Sequence, residues 1–288
     1  MTLLTPEEVV ALAQRRIAER TAHNQREREP ANILWRYLLG GLLVVLAVAL
    51  IGWPGIPLQR KLYVAVHGVC AQVHNVALGG VQLPLCARNT GIYSAALSTI
   101  LALWAIGRSR AARLPPPIIL ATLALAVAVM ALPGLHLLFD DRSWPRFHTP
   151  KDRLRALTGI GAGTTFGVLL VYMFNQALRA DAERDVPVVG QWRELAGVVA
   201  LNGLVWLAIY TNIAITYWPV ALLSWFGIVG TLFLTLLLPT AILMGYHKQI
   251  RHLVQLARPA SITLLVTIAV LALLAILRFA GEGSAARF

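Results

Sequence analysis

Both cysteines of the chain and two of its seven histidines lie in one short apolar stretch, HGVCAQVHNVALGGVQLPLCARNTG, at residues 67–91. Thiol and imidazole groups bind soft or borderline metal ions, and they also act as nucleophiles and bases. If residues 62–78 are helical, His67, Cys70 and His74 recur at i, i+3 and i+7 and share one face. This stretch is therefore the main candidate site of the chain.

Several kinds of chemistry remain open for these side chains. Cys70 and Cys86 are a candidate disulfide if the stretch faces the oxidising side of a membrane. His67, Cys70, His74 and Cys86 also form an acceptable zinc or cofactor set by ligand type, although their spacing matches no defined zinc pattern. A haem or chlorophyll would need a single axial histidine from His67, His74 or His136. A catalytic thiol beside a base is a further interpretation, and the plainest one is buried cysteines with hydrogen-bonded histidines. The sequence leaves any cofactor unknown.

The composition shows what surrounds this site. Hydrophobic residues make up 58% of the 288 residues and charged residues only 13%, against about 25% charged in soluble domains. The charges fall in short clusters between long apolar runs, which predicts an all-α polytopic membrane protein. The net charge of +12 is what cytoplasmic loops of such proteins carry. Nucleic acid is not expected as a partner, because no basic stretch is interleaved with stacking aromatic residues.

Seven apolar segments are long enough to cross a bilayer. The stretch 62–78 is too short and too polar for a span, and it predicts a re-entrant or interfacial half-helix. Residues 5–29 predict an N-terminal amphipathic helix that lies at the membrane surface and ends at Pro30. The chain thus divides into a cytoplasmic helix (1–30), a membrane domain of four spans (31–179) and a three-span extension (180–288). We predict spans near 34–53, 90–107, 116–138, 156–178, 195–214, 219–246 and 259–279.

Positive charge predicts the orientation. The N-terminal arginines and the loop RSRAAR, residues 108–113, share one side of the membrane when seven spans alternate. Lysine and arginine favour the cytoplasmic side, so we expect a cytoplasmic N-terminus and an outer C-terminus. The histidine–cysteine stretch then lies on the outer side.

Small and polar residues inside the spans predict how they pack. Gly159, Gly163 and Gly167 form one bare stripe on span four, and Gly91 begins a matching small stripe on span two. Such stripes let backbones approach closely, so we expect these two spans to pack together. Asn202 predicts a hydrogen bond between helices. No charged residue lies near a span centre, which argues against an ion-coupled transporter.

A second polar cluster lies between spans three and four, also on the predicted outer side. Its Asp140 and Asp141 are expected to meet Arg88 and the histidines if spans two and four touch. Two carboxylates beside imidazoles could accept hydrogen bonds from the metal-binding rings and orient them.

The run His67-Gly-Val-Cys70, then GGVQLPLCARNTGIY, Asp140 and RALTGIGAG, resembles a family of predicted prokaryotic membrane proteins, catalogued as domain of unknown function 2085. The resemblance covers about residues 60–170. It rests mainly on Cys86, Arg88, Thr90, Gly91 and Arg155. Family members commonly carry another cysteine where this chain has Asn89, so a CxxC-like arrangement is missing here. The resemblance implies a membrane fold and a shared motif, but no reaction.

These observations predict a multi-pass protein of a prokaryotic cytoplasmic membrane. We expect a non-catalytic accessory, assembly or packing subunit of a larger membrane complex, with the lipid bilayer and other membrane subunits as partners. The alternative is a small membrane enzyme or metal-binding protein with an outer-face His/Cys site. A transporter is a third interpretation.

Overall fold

The computed structural model describes residues 5–70, 75–138 and 152–285. These residues are mostly helical, with two pairs of short strands and three 3₁₀ turns (His67–Val69, Ala214–Thr216 and Leu253–Leu256). The helices are α1 Pro6–Gly52, α2 Leu58–Val66, α3 Ala87–Ala105, α4 Pro117–Leu138, α5 Asp152–Leu178, α6 Trp192–Thr211, α7 Tyr217–Leu243 and α8 Ala257–Ala285. The strands are β1 Asn75–Leu78, β2 Val81–Cys86, β3 Ala111–Arg113 and β4 Glu183–Pro187.

Within the described residues, five helices are long and apolar enough to cross a membrane. The described apolar part of α4 is shorter, and α3 is not among the five. The mostly helical character with several candidate membrane spans is therefore confirmed, although the two strand pairs were not predicted, and the count of seven spans stays a prediction. The five segments are Asn32–Gly52, Arg153–Leu178, Trp192–Thr211, Ala214–Leu243 and Leu253–Glu282.

Helix α3 is less apolar than the five candidate spans, and it occupies the centre of the bundle. It packs against α5, α6 and α7, so little of its surface is left for lipid. Several of its hydroxyl-bearing residues are buried and hydrogen-bonded, among them Thr90, Ser98 and Thr99. A helix surrounded by protein can carry such groups, because they find hydrogen-bond partners that hydrocarbon cannot supply.

The half-helix predicted at residues 62–78 is wrong beyond Val66. Helix α2 ends there, a 3₁₀ turn follows, and residues 75–78 form strand β1. Strand β1 pairs antiparallel with β2, with Leu78 opposite Val81. Gly79 and Gly80 join them at φ angles of 58° and 83°, as the two central residues of a type I′ hairpin turn require. The two glycines favour a hairpin turn, and alternate residues of β1 are buried as in a strand. These two features prevail over the helical spacing of His67, Cys70 and His74. Whether α2 is re-entrant or interfacial stays a prediction.

The predicted helix end at Pro30 is also wrong, because α1 runs without interruption from Pro6 to Gly52. Thr5 caps it in a capping box with Glu8. Proline removes one helical hydrogen bond and frees the carbonyl four residues earlier. That carbonyl belongs to Arg26, in the polar part of the helix, where water can satisfy it. Residues 6–31 thus continue the helix of the first predicted span, and the division of the chain at residue 30 stays a prediction.

Three loops meet at one end of the bundle. The parallel pair β3–β4 joins the loop after α3 to the loop after α5, with Glu183 N–H donating to the Arg110 carbonyl at 2.8 Å. Ala180 N–H donates to the Ile250 carbonyl at 2.8 Å, which adds the loop after α7. The hairpin β1–β2 lies beside the α6–α7 connection instead, where Gly79 N–H donates to Asn212 Oδ1 at 3.1 Å.

Candidate functional site at the hairpin end of the bundle

Cys70 and Cys86 lie together at the start of the central helix. Cys70 follows the 3₁₀ turn His67–Val69, and Cys86 ends β2 and immediately precedes α3. Their thiols are hydrogen-bonded to each other, and both residues are half-buried. The structure holds them as thiols, not as a disulfide. Their pairing as a disulfide therefore stays a prediction, now with the two sulfurs as neighbours.

The surroundings of Cys86 govern its protonation. The hydrogen bond with Cys70 raises the pKa of the Cys86 thiol far above its ordinary value, and burial raises the pKa further. The backbone amides of Asn89 and Arg88, at the N-terminus of α3, act in the opposite direction. Cys86 thus keeps its proton beside Cys70.

His67 faces α8, where it forms a second cluster with aromatic and charged side chains. It is 2% exposed, and its Nε2 lies 2.9 Å from Glu282 Oε2. Its ring stacks on Phe279 at 4.3 Å and lies 4.8 Å from the ring of Tyr63. Arg278 Nε donates to the other oxygen of Glu282 at 2.7 Å. Burial and the nearby Glu282 charge raise the pKa of Tyr63.

Gly68 makes this contact with α8 possible. A Cβ atom at this position would collide with the backbone at Leu274 and Ala275. The missing side chain therefore lets the 3₁₀ turn lie directly against α8, and it places His67 next to Glu282. The role of Glu282 was not predicted from the sequence. Its signal there is that it lies three residues beyond the last predicted span, 259–279, at the end expected to share a side with His67.

The four proposed metal ligands are only partly gathered in the described residues. Cys70 and Cys86 are together, while His67 is bonded to Glu282. His74 lies outside the described residues, as do Asp140 and Asp141. Among the residues that the structure describes, no three His, Cys, Asp or Glu side chains are grouped as a metal site would need.

The remaining motif residues lie at the start of α3 and of α5. Thr90 is fully buried and donates its hydroxyl to the Leu85 carbonyl at 3.2 Å. The buried Nε of Arg88 has no hydrogen-bond partner in the described part of the chain. Arg155 lies in the first turn of α5, and its carbonyl accepts from Thr158 at 3.1 Å.

Helices α3 and α5 meet along a seam of glycines. Added Cβ atoms at Gly91, Gly159 and Gly163 would each collide with a carbonyl oxygen of the facing helix. At Gly167 the Cβ would lie 2.7 Å from the Ala96 carbonyl oxygen, still too close for a real contact. Gly227 on α7 has the same relation to the Tyr93 carbonyl of α3. The two sides of α3 thus contact α5 and α7 backbone to backbone.

Asn202 of α6 links three helices in the buried centre. Its side-chain amide donates to Thr99 of α3 at 3.0 Å and to Thr164 of α5 at 2.8 Å. Its Oδ1 is hydrogen-bonded to the Ser98 hydroxyl. All four residues are buried. Helix α6 therefore completes the polar interior that α3 and α5 begin.

A family model matches about a third of the chain. Residues 70–169 match a family model described as a predicted membrane protein. The family is domain of unknown function 2085. The match confirms the resemblance predicted from the motifs. A search of curated proteins and of solved structures finds no match.

The segment that matches domain of unknown function 2085 contains the cysteine pair, all of α3 and α4, and the glycine seam of α5. His67 and Glu282 lie outside it, as do α6 and α7. The matched segment thus includes the thiols and the helix seam. The histidine cluster and the Asn202 network use residues from beyond it.

Proposed function

We propose that this protein is a non-catalytic accessory or assembly subunit of a larger complex in the prokaryotic cytoplasmic membrane. The observation that carries the proposal is the state of α1. In its most apolar stretch, within Asn32–Gly52, no residue is buried by the rest of the chain. This helix is available to a partner within the bilayer.

Helix α1 contacts the bundle along one narrow stripe. Trp35 and Leu39 are half-buried there, and the Arg258 guanidinium lies 6.0 Å from the Trp35 ring. At the other end, Lys61 Nζ donates to the Trp53 carbonyl at 2.7 Å. Most other side chains of the stretch are exposed. The helix is thus fixed to the bundle and still offers a wide face.

Gly40 and Gly41 give that face a place where another helix can approach closely. Both are exposed, and a Cβ atom at either would meet nothing within 4 Å. Small residues at a lipid-facing surface allow backbone contact between membrane helices. A transmembrane helix of another subunit is the partner that this face fits.

The arrangement of the loops supports a cytoplasmic N-terminus and an outer C-terminus. The arginine-bearing loops after α3, α5 and α7 meet at one end, and the positive-inside preference assigns that end to the cytoplasm. Seven spans and an outer hairpin follow from this orientation. Accessibility of Gln82→Cys in a chain with both native cysteines replaced, probed by a membrane-impermeant maleimide on intact cells, tests it. Labelling only after lysis would contradict the orientation.

The experiment for the partner uses substitutions on two exposed helices. We expect Gly40→Leu combined with Gly41→Leu to abolish site-specific crosslinks from α1 to a neighbouring subunit, because the added side chains fill the contact. The matched control is Gly197→Leu, since Gly197 of α6 also meets nothing within 4 Å. It should leave the crosslinks intact. A wild-type protein that purifies from native membranes as a monomer, with no crosslinked partner, would contradict the proposal.

A metal-binding role on the outer face is the second candidate. It is favoured by the contact between the Cys70 and Cys86 thiols, since thiolates bind soft metals and zinc. Metal analysis of the intact protein beside a Cys70→Ala and His74→Ala double variant tests it. Stoichiometric metal in the wild type and loss in the variant would support this role. Sub-stoichiometric metal in both would reject it.

A further inference from the structure

Cys70 and Cys86 are the two cysteines of the chain. Cys70 precedes the hairpin β1–β2 and Cys86 is its last residue, and the fold brings the two into contact. Their side chains share a hydrogen bond. Neither is deeply enclosed, because each is half-buried. A small reagent or the active site of a partner protein can therefore reach the pair.

Each cysteine is tied to a different structural unit. Cys70 follows the turn that His67 and Gly68 dock onto α8. Cys86 pairs with Asn75 in the hairpin and begins the central helix α3. A bond between the two sulfurs would join the α8-docked turn to the central helix and close the hairpin into a loop.

We propose that Cys70 and Cys86 form a reversible disulfide by exchange with an external disulfide, either a small-molecule disulfide or that of a thiol-oxidising protein. One of the two cysteines, as its thiolate, attacks one sulfur of the donor, which forms a mixed disulfide and releases one donor thiol. The other cysteine, after losing its proton, attacks the first cysteine and releases the second donor thiol. The cysteines lose two electrons and two protons in total, and the donor disulfide gains them.

The contact between the two side chains is what makes the exchange possible. The hydrogen bond with Cys70 and burial raise the pKa of Cys86, while the backbone amides of Asn89 and Arg88 act to lower it. Because the two sulfurs are neighbours in the folded chain, whichever cysteine reacts first with the donor has the other beside it.

The inference does not depend on the proposed partner of α1, because the cysteine pair is separate from the exposed face of α1 and its oxidation needs no second subunit. It also differs from a static structural disulfide. A pair held as adjacent thiols in the folded chain can be oxidised and reduced without unfolding. The expected consequence is a hairpin segment that is more firmly attached to α3 when oxidised.

The test uses the full-length protein in lipid nanodiscs, equilibrated with reduced and oxidised glutathione in different ratios. Thiols are then trapped by a maleimide after rapid denaturation, and intact mass counts the labels. We expect two labels per chain in reduced buffer and none in oxidised buffer, with full recovery of both labels on return to reduced buffer. Circular dichroism should show that the protein stays folded during the equilibration with glutathione, while the label count changes from two to none and back.

The single variants Cys70→Ser and Cys86→Ser provide the controls, because each leaves one thiol with no partner in the chain. Neither should form an intramolecular disulfide. Two labels that persist in the folded wild type under a large excess of oxidised glutathione would overturn the proposal. So would oxidation that yields only disulfide-linked dimers, or only after denaturation.

Discussion

The seam between α3 and α5 and the exposed face of α1 both contain glycines, yet they use them in opposite ways. In the seam, Gly159 and Gly163 lie against carbonyl oxygens of α3. In α1, Gly40 and Gly41 have open space beside them. The absence of a side chain therefore identifies a close helix contact only where another backbone already covers it. On α1 the same residue type marks a surface that the chain itself leaves uncovered.

The two regions also differ in polarity, for the same physical reason. Helix α3 is surrounded by protein and carries buried hydroxyl groups that bond to neighbouring helices or to its own turns. The α1 face is exposed and consists of residues such as Val44, Val45 and Val48. Protein can satisfy polar groups at membrane depth and lipid cannot. The buried hydroxyl groups of α3 thus fit its central position.

The strongest test of this difference compares alanine substitutions at the two kinds of glycine. Gly163→Ala should destabilise the protein by about 3 kcal/mol, because the added methyl group overlaps the Ile92 carbonyl and the two backbones must separate. Gly41→Ala should leave stability unchanged or raise it by up to about 1 kcal/mol, since alanine favours a helix more than glycine does. Unfolding by denaturant in mixed micelles, followed by circular dichroism, measures both.

Equal effects at the two positions would contradict the distinction. If Gly163→Ala were neutral, α3 and α5 would not be in backbone contact. If Gly41→Ala were as damaging as Gly163→Ala in the isolated chain, α1 would be packed more tightly than the structure shows.

The polar centre of the bundle provides the next largest effect. Asn202→Leu removes three side-chain hydrogen bonds between α6 and its neighbours. Bonds of this kind contribute about 0.6 kcal/mol each in a membrane protein, so we expect a loss of about 2 kcal/mol. Thr235→Val is the control, because that hydroxyl donates only within its own helix, to Thr231 at 2.7 Å. A loss no larger than that of the control would mean that the network does not hold the helices together.

The sequence was sufficient to predict the helices and some of their surfaces. Each of the seven predicted segments falls on a helix, because the length of an apolar run is a local property. The glycine stripe of α5 also follows from local spacing. The central position of α3 did not follow directly, although its low hydropathy was visible. Its place depends on contacts with α6 and α7, which come much later in the chain. Asn202 of α6, for example, lies 103 positions after Thr99 of α3, to which it donates a hydrogen bond.

The site was harder to predict, because its parts come from distant places in the chain. His67 and Glu282 are 215 positions apart, and no periodicity relates them. The hairpin was visible as two apolar runs around Gly79-Gly80, but the helical spacing of His67, Cys70 and His74 favoured a different interpretation. The pairing of Cys70 with Cys86 was one of the predicted alternatives, but the hairpin between them was not predicted.

The hairpin itself adds a third use of glycine to the comparison. Gly80 has a φ of 83° and open space beside its Cα, so its conformation alone requires glycine. Gly80→Ala should cost about 1 kcal/mol, from the strain of a left-handed backbone, and Gly80→Asn should cost less because asparagine tolerates this conformation. Denaturant unfolding measures both. Equal stability of the alanine variant and the wild type would contradict the positive φ and with it the assigned turn.

The smallest effect is expected where α5 ends, at the opposite end of the bundle from the hairpin. Asp181 lies 3.0 Å from Arg179 Nε and 3.1 Å from Arg110 Nε. Burial acts to raise its pKa, but the Arg179 hydrogen bonds and charge prevail, and the pKa of Asp181 is lowered. A lowered pKa means that the ionised carboxylate stabilises the fold above the unfolded value of about 4. This stabilisation is lost as the pH falls through the lower folded value. Because the pair is partly exposed, we expect only about 0.5 kcal/mol.

Denaturant unfolding at pH 6 and pH 3 should show a larger fall in the free energy of unfolding for the wild type than for Asp181→Asn. Parallel losses in the two proteins would show that the ionised Asp181 does not stabilise the contact between the end of α5 and its loops.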